Sequence, residues 1–462
     1  MLDRQLDRWA LPVIILLGLA LRIAAARGGL WLDEAWSAKL VHDAGTPLGV
    51  FLRINHDNNH HLNSLWMHVV GFGAPPMLVR LPAILCGTAT IWVAARIAAS
   101  RGLLASLLTA TAFAISPVMV TYGSEARGYA SMLLCLLFAI LLVDRWLGDA
   151  PTASIRRHLA WCFTLGVLSQ LTMLFACLAL VGWVFFALCR RTSIVQALQQ
   201  TARLFAPALL GVAAILAIIG GAAYASGTGF QFGGYQPFSI RMLLRGLIEL
   251  VGFTIGLPVL SLWLLLVPLI ALLLARSVLA SRTIFYWIAI LAFPTGIGLL
   301  HAANVGNARY FLLASVALLL MLAELASGAL ERHGWRRWLG GAMLLCFSVG
   351  ALLGDADLVS DLRGDPSPAI RAMAAREPGG TAMLLDRETG RAMIEVGAAA
   401  AAYRLTIPDQ DCPAPRFLFV DRFRGEDLPV AGTRCGRRYA SILVGHARGM
   451  SGTNWALLEL QR

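Results

Sequence analysis

The stretch WALPVIILLGLALRIAAA, from Trp9 to Ala26, decides the fold class. As a helix it is roughly 27 Å long, close to the hydrocarbon thickness of a bilayer. The rest of the 462-residue chain is similar in character, because 58% of it is hydrophobic and only 14% is charged, whereas soluble domains carry about 25% charged residues. This composition excludes an ordinary soluble enzyme and a disordered chain, and it predicts a polytopic α-helical membrane protein.

Further apolar runs follow this first helix, so the sequence predicts about eleven transmembrane helices. The runs lie at about 80–97, 102–119, 129–147, 159–172, 174–189, 204–224, 253–275, 283–301, 309–330 and 338–353. The polar residues Ser169, Gln170 and Thr172 divide 159–189 into two short helices. With the N-terminus in the cytoplasm, this arrangement puts every arginine cluster between spans on the inner face, as the positive-inside rule requires.

The polar sequence that remains is expected on the external face. It comprises the loop 28–79, the links 120–128 and 302–308, the region 225–252 and the tail. We therefore assign residues 1–354 to a transmembrane domain and residues 355–462 to a small external α/β domain. In this tail TAMLLD, RFLFVD, YASILVG and WALLEL predict strands, and SPAIRAMAAR and RAMIEVGAAAAAYR predict helices. Cys412 and Cys435 can form one disulfide if the tail lies outside.

Two adjacent carboxylates, Asp33 and Glu34, follow the first helix in the motif RGGLWLDEAWSAKL. Carboxylates at a membrane surface are costly to bury, so they are hydrated, paired or functional. One interpretation is structural, with Asp33 capping the helix that follows. The other makes Asp33 a general base that takes a proton from an acceptor hydroxyl. The residues alone leave both interpretations open.

A polar cluster follows in the segment INHDNNHHLNSLWMHVVGFG, which contains His56, Asn59, His60 and His61. The run 61–71 has apolar residues at helical spacing but is too short to span a bilayer, so we expect a helix lying in the membrane interface. Imidazoles and a carboxylate have the chemistry of a divalent-metal site. Their spacing matches no metal motif, which favours polar residues that face water or a pocket for the sugar or acceptor and leaves a divalent cation as an option.

Arginines on the external face are unusual, because arginine prefers the cytoplasmic side of membrane proteins. Arg80 opens the second span, Arg127 lies between spans three and four, and Arg309 opens span ten. Tyr129 and Tyr310 stand near two of them in the sequence. A single such arginine most often snorkels to the interface, whereas three indicate a shared anionic ligand, since a guanidinium matches phosphate oxygens bidentately. A phosphate held at membrane depth is most simply a lipid phosphate.

The ordered set of these motifs resembles a known family. A first span followed by Asp-Glu, an interfacial helix that opens with histidine, then RLP, SP…Y…EARGY and a late RY are similar to the polyprenyl-phosphate-sugar glycosyltransferases of the GT-C fold. Protein O-mannosyltransferases and lipid A aminoarabinose transferases belong to that group. The resemblance covers about residues 10–330. It implies that Arg80 corresponds to the arginine that the family carries at the start of its second span.

The resemblance also implies roles for other residues. Asp33 would be the catalytic base, with Glu34 beside it, and Arg127 and Arg309 would contact the donor phosphate. The histidine pair at 60–61 would take the place of the family's His-Pro-Pro motif, although the sequence here reads HHLNS. No histidine or lysine stands in the turn QLTMLF, where many relatives carry one.

The expected activity is inverting transfer of a sugar from a polyprenyl-phosphate donor to an acceptor glycan, lipid or protein on the periplasmic face of a bacterial inner membrane. No nucleotide sugar is available on that face, so the donor is lipid-linked. One alternative is a transporter or lipid flippase, which keeps polar residues at mid-membrane; here the charges lie at the outer ends of spans, and Arg22, inside span one near its outer third, is the main exception. The other alternative is a non-catalytic scaffold. The net charge of +12 comes from arginines that orient a membrane protein, which disfavours a nucleic-acid partner and indicates contact with membrane lipids.

Overall fold

The chain is mostly helical, with a small sheet at its C-terminal end. The computed structural model describes residues 2–461 apart from 57, 149–152, 228, 232–235, 279–281, 409–414 and 424. The helices before the tail are α1 (Leu2–Ala25), α2 (Leu32–Ala44), α3 (Pro47–Leu52), α4 (His61–Val70), α5 (Pro76–Val79), α6 (Leu81–Ala98), α7 (Leu103–Ile115), α8 (Pro117–Tyr122), α9 (Tyr129–Gly148), α10 (Ala153–Ser169), α11 (Met173–Cys189), α12 (Ile194–Ala225), α13 (Ile240–Ile255), α14 (Leu266–Val278), α15 (Thr283–Trp287), α16 (Phe293–Leu299), α17 (Leu312–Leu330) and α18 (Trp335–Asp361).

Several of these helices are suited to a membrane, which agrees with a multi-pass protein. Among the described residues, five helices are long and apolar enough to cross a bilayer: Leu81–Arg101, Tyr129–Gly148, Ile194–Ala225, Ala308–Leu330 and Trp335–Asp361. Shorter apolar helices of 10–17 residues precede them or lie between them in the chain. Helix is found at every predicted apolar run, and the number of runs that cross the membrane stays a prediction.

Two of the predicted boundaries have different outcomes. The division of 159–189 is confirmed, because α10 ends at Ser169 and α11 begins at Met173. The predicted start of a span at 253 is wrong. There α13 is already ending at Gly256, whose φ of 76° is left-handed, and Pro258 cannot supply an N–H to continue the helix.

A break between α7 and α8 gives a buried arginine a structural role. Pro117 has no N–H, so the carbonyl of Phe113 lacks its helical partner. The guanidinium of Arg22, buried in α1, donates from Nη2 to the Phe113 carbonyl at 2.9 Å and from Nη1 to the Ala114 carbonyl at 3.2 Å. The charge inside the first span therefore satisfies the backbone at a helix break.

The tail forms a mixed sheet with two helices. Its elements are α19 (Ser367–Arg376), β1 (Thr381–Leu385), α20 (Arg391–Ala400), β2 (Leu405–Thr406), β3 (Phe417–Arg422), β4 (Ala431–Arg434), β5 (Arg437–Gly445) and β6 (Asn454–Leu460). The strand order is β2-β1-β3-β6-β5-β4, parallel from β2 to β3 and antiparallel beyond. All the strands and helices predicted in the tail are present. Cys435 is disulfide-bonded, and Cys412 lies outside the described residues.

The tail and the loop 28–79 share one apolar core. Buried Trp31 and Ala35 of the loop pack in the same cluster as Ile370, Met393 and Trp455 of the tail. Helix α18 also continues past the predicted domain boundary at 354 and ends at Asp361. The loop that carries the candidate acid is therefore held between the helical bundle and the tail.

Candidate active site

The central feature of the site is one carboxylate oxygen shared by two arginines. Asp33 Oδ2 accepts hydrogen bonds from Nη1 of Arg127 and from Nη1 of Arg309, each at 2.7 Å. Asp33 lies in the first turn of α2, Arg127 in the link between α8 and α9, and Arg309 just before α17. Three segments far apart in the sequence therefore meet at a single oxygen.

The charges of this trio do not cancel. Burial alone would raise the pKa of Asp33, but the Arg127 and Arg309 guanidiniums hold that pKa below its ordinary value. The carboxylate is ionised at neutral pH, so two positive charges face one negative charge. The surplus positive charge makes the trio a place where a further anion is stabilised.

Arg127 is fixed by other partners. Its Nη2 donates to Asn58 Oδ1 at 2.7 Å and its Nε donates to His60 Nε2 at 3.1 Å. The guanidinium lies over the Tyr129 ring, 5.0 Å from the centroid. Burial and the neighbouring guanidiniums lower the pKa of His60 well below its ordinary value, so His60 is neutral and accepts the bond from Arg127. The direction of this guanidinium is set before any ligand arrives.

Arg309 is the more accessible of the two cations. Its side chain is 26% exposed, whereas that of Arg127 is 4% exposed. The Tyr310 ring lies beside it, with the guanidinium carbon 5.8 Å from the ring centroid. An anion reaching the trio from solvent or lipid therefore meets Arg309 first.

Glu34 and Arg80 form a separate, fully buried pair. Arg80 Nε donates to Glu34 Oε1 at 2.9 Å and Nη2 donates to Oε2 at 2.5 Å. The other Arg80 donors go to the carbonyls of Ala26, Gly28 and Gly29. All five guanidinium N–H groups are thus occupied, which leaves Arg80 no donor for the donor phosphate that the sequence assigned to it.

Glu34 also fixes the spacing of the trio. Its Oε1 accepts from the backbone N–H of Ala126 at 2.6 Å. Glu34 is the neighbour of Asp33 in the chain, and Ala126 is the neighbour of Arg127. This bond ties the acid and the arginine together through their neighbours, so Glu34 supports the geometry and does not face the open side of the site.

The predicted pocket residues are placed differently from one another. His60 contacts Arg127, as described. His61 is buried and stacks on Phe51, while the amide of Asn59 donates to the carbonyls of residues 50 and 54. His56 accepts from the Asn58 backbone N–H at 3.1 Å and lies edge-on to Trp36. Within the described parts of the chain, no three His, Cys, Asp or Glu side chains are grouped so that they could hold a metal ion.

Sequence reasoning missed two supporting residues, Ser37 and Gln170. Ser37 Oγ donates to the Asp33 carbonyl at 2.9 Å and accepts from Asn58 Nδ2 at 3.0 Å. The spacing of four residues between Asp33 and Ser37 on one helix was the available signal for that contact. Gln170, in the turn between α10 and α11, interacts with the His60 side chain, and nothing in the local sequence indicates this.

No protein-family model and no curated protein matches the chain in sequence. Solved structures match its fold. ArnT from Cupriavidus metallidurans in the apo state gives a TM-score of 0.56 at 11% identity, over 96% of this chain and 97% of that one. The same protein bound to undecaprenyl phosphate gives 0.52 at 12% identity, with the same coverage.

The oligosaccharyltransferase of Archaeoglobus fulgidus in its apo form gives a TM-score of 0.51 at 13% identity, over 87% of this chain and 64% of that longer one. ArnT, an aminoarabinose transferase, and the archaeal enzyme are both glycosyltransferases of the GT-C class. The resemblance seen in the sequence is thereby confirmed at the level of fold, and the chain has the GT-C fold.

Proposed function

We propose that the chain is an inverting glycosyltransferase that moves a sugar from a polyprenyl-phosphate donor to an acceptor on the external face of a bacterial inner membrane. The observation that carries this proposal is the Asp33 oxygen shared by Arg127 and Arg309. The fold supports it, since the ArnT neighbour is bound to undecaprenyl phosphate and the archaeal neighbour AglB is in complex with a dolichol-phosphate.

The trio supplies the parts that such a transfer needs. Asp33 takes the proton from the acceptor hydroxyl, and the oxygen attacks the anomeric carbon from the face opposite the phosphate. The bond between that carbon and the phosphate oxygen breaks, and its electron pair leaves with the polyprenyl phosphate. Arg127 and Arg309 stabilise the charge that develops on the leaving phosphate. The new glycosidic bond to the acceptor therefore has the anomeric configuration opposite to that of the sugar–phosphate bond in the donor.

Donor binding also prepares the base. A carboxylate with a depressed pKa is a weak base, because Brønsted behaviour favours a pKa near the working pH. A donor phosphate engages the same guanidinium groups that hold Asp33, and so it weakens their hold on the carboxylate. The pKa of Asp33 then rises towards its ordinary value, and the residue becomes a better base once the donor is in place.

The alternatives lack a comparable observation. A transporter or flippase would use charges at mid-membrane, but the guanidinium of Arg22 is engaged by the carbonyls at the break before α8. A non-catalytic scaffold that only presents the tail does not explain why the charges of Asp33, Arg127 and Arg309 are brought together. We also propose the organisation predicted from the sequence, with residues 1–354 as a transmembrane domain and the tail, residues 355–462, as an external domain.

The decisive experiment compares Asp33→Asn with Asp43→Asn. Both residues are aspartates on α2, but Asp43 is 53% exposed and pairs with Lys39. Purified proteins receive a panel of radiolabelled polyprenyl-phosphate sugars, and released polyprenyl phosphate is measured. Loss of a general base costs about 10²–10⁴-fold in rate, so we expect this loss for Asp33→Asn and near-normal activity for Asp43→Asn. Normal transfer by Asp33→Asn would exclude the proposed base, and a wild type inactive with every donor would favour the alternatives.

A further inference from the structure

The turn that joins α18 to the tail places an arginine against the site. Leu362, Arg363 and Gly364 all have left-handed φ values, of 47°, 60° and 75°, a conformation that residues other than glycine rarely adopt. Only 1% of Arg363 is exposed. This turn directs a charged side chain from the tail into the outer end of the helical bundle.

The Arg363 guanidinium joins two segments of that bundle. Its Nη1 donates to the carbonyl of Ala25 at 2.7 Å, at the end of α1. Its Nη2 donates to the Thr121 carbonyl at 2.9 Å and to Ser124 Oγ at 2.6 Å, and its Nε donates to Glu125 Oε1 at 3.3 Å. The last three partners belong to α8 and to the link between α8 and α9 that carries Arg127.

Asp365, two residues further on, holds the other half of the site. Its Oδ1 accepts from the backbone N–H of Gly29 at 2.6 Å and from that of Ser367 at 2.8 Å. Gly29 lies in the short connection between α1 and α2, and the first turn of α2 carries Asp33. One turn of the tail thus contacts both the segment that carries Asp33 and the segment that carries Arg127.

Arg363 also has an electrostatic role, because its charge pairs with a buried carboxylate. Glu125 is fully buried and lies two residues before Arg127. Arg363 forms an ion pair with Glu125. Without that cation, Glu125 would be a buried carboxylate with no paired charge, and breaking such a pair is strongly unfavourable. The charge of Glu125 already acts on Arg80, whose N–H groups are all occupied, and on Arg127. Glu125 would then compete with Asp33 for the same guanidinium.

We propose that Arg363 is a positioning residue for glycosyl transfer: together with Asp365 it couples the tail to the site and keeps Arg127 directed at Asp33 and the donor phosphate. This inference rests on the proposed function and deepens it, because it assigns the tail a part in donor binding.

The test uses the full-length protein and matched arginine variants. Arg448 joins the tail to the same end of α18 through Asp361 at 2.8 Å, but its side chain is 59% exposed, so Arg448→Met is the control for Arg363→Met. The measurements are the unfolding temperature, the affinity for undecaprenyl phosphate, and KM for the donor and kcat of transfer.

We expect Arg363→Met to weaken donor binding and to lower kcat/KM by about 100-fold, the size of effect that a displacement of about 1 Å produces. Arg363→Lys should recover part of this loss. Adding Glu125→Gln to Arg363→Met should recover donor affinity, because the competing carboxylate is gone. Arg448→Met should behave like the wild type.

The outcomes separate a positioning role from a structural one. If Arg363→Met retains donor KM and kcat, or loses activity only in proportion to the amount of folded protein, the inference is wrong. If Arg363→Met does not fold, the donor KM and kcat of Arg363→Lys decide, because lysine keeps the charge but cannot make all the contacts of the guanidinium, and wild-type values refute the role. A wild type that transfers no sugar refutes the proposed function. In that case undecaprenyl phosphate affinity decides on Arg363, and equal affinities, or no binding by the wild type, overturn its role.

Discussion

At the scale of single residues, His61 shows how burial alone changes a titrating side chain. Its ring stacks on Phe51 with centroids 5.0 Å apart. Burial lowers the pKa of His61 from 6.5 to about 4, so the folded protein keeps the ring neutral where the unfolded chain binds a proton. The stability from this group is fully present above pH 6.5 and is lost as the pH falls to about 4.

We therefore expect His61→Phe to reduce the acid sensitivity of the fold. Phenylalanine keeps the stack on Phe51 but does not titrate. The difference in pKa corresponds to about 3 kcal/mol of unfolding free energy, which the wild type loses on acidification and the variant keeps. Thermal unfolding between pH 7 and pH 4 measures this, with His158→Phe at an exposed position as the control. Parallel pH curves for the wild type and His61→Phe would contradict the argument.

The residues of the site were predictable to different degrees. The topology placed Asp33, Arg127 and Arg309 in external segments, and the structure joins them at one oxygen. The pairing of Glu34 with Arg80 was not predictable, because either of two adjacent carboxylates can pair with a nearby guanidinium until the backbone direction is known. A sequence shows that a charge stands at a membrane surface, and only the fold shows which charge it meets.

At the scale of elements, the link between α8 and α9 packs directly on the C-terminal end of α10. A Cβ at Gly128 would lie 1.7 Å from the Ser169 carbonyl oxygen and 3.1 Å from His60 Cβ. The nearer atom belongs to the backbone, so it cannot rotate away as the end of a side chain can. The absence of a side chain at this glycine lets the link reach the segment with His60.

We expect Gly128→Ala to destabilise the fold and to impair transfer. Overpacking of this kind costs about 1–3 kcal/mol, and the displaced link carries Arg127, so donor KM should rise as well. Gly221→Ala in α12 is the matched control, because a Cβ there meets nothing within 4 Å. Unfolding temperature and donor KM are the measurements. A Gly128→Ala protein as stable and active as Gly221→Ala would show that the contact is dispensable.

The elements that the sequence missed have weak local patterns. Helix α13 reads IRMLLRGLIELVGFTI, and Arg241, Arg245 and Glu249 interrupt its hydropathy, so the segment resembled an external polar region. Strand β2 has only two residues, which is too few for alternation to show. The tail strands β3 and β6 were predictable because long apolar runs end at clear turn residues.

At the scale of the whole molecule, the two ends of the helical bundle are held by different interactions. The end predicted to face outward has the trio and the apolar core that the tail shares with the loop 28–79. Near the predicted inner end, Arg282 pairs with Asp144 at 2.7 Å and with Glu324, and its Nη2 donates to the Ile97 carbonyl at 2.6 Å. These partners lie up to 185 residues from Arg282 in the chain, and no local pattern predicts contacts over such distances.

The orientation of the chain is the prediction on which an external site depends. The arginine clusters place residue 332 inside, and an odd number of spans then places the tail outside. We expect Arg371→Cys, exposed on α19, to react with a membrane-impermeant maleimide in intact cells, and Arg332→Cys, exposed after α17, to react only after permeabilisation. Each variant carries Cys346→Ser, because that cysteine is exposed. The reverse labelling pattern would place Asp33 beside the cytoplasm, where nucleotide sugars are available, and the reason for a lipid-linked donor would be lost.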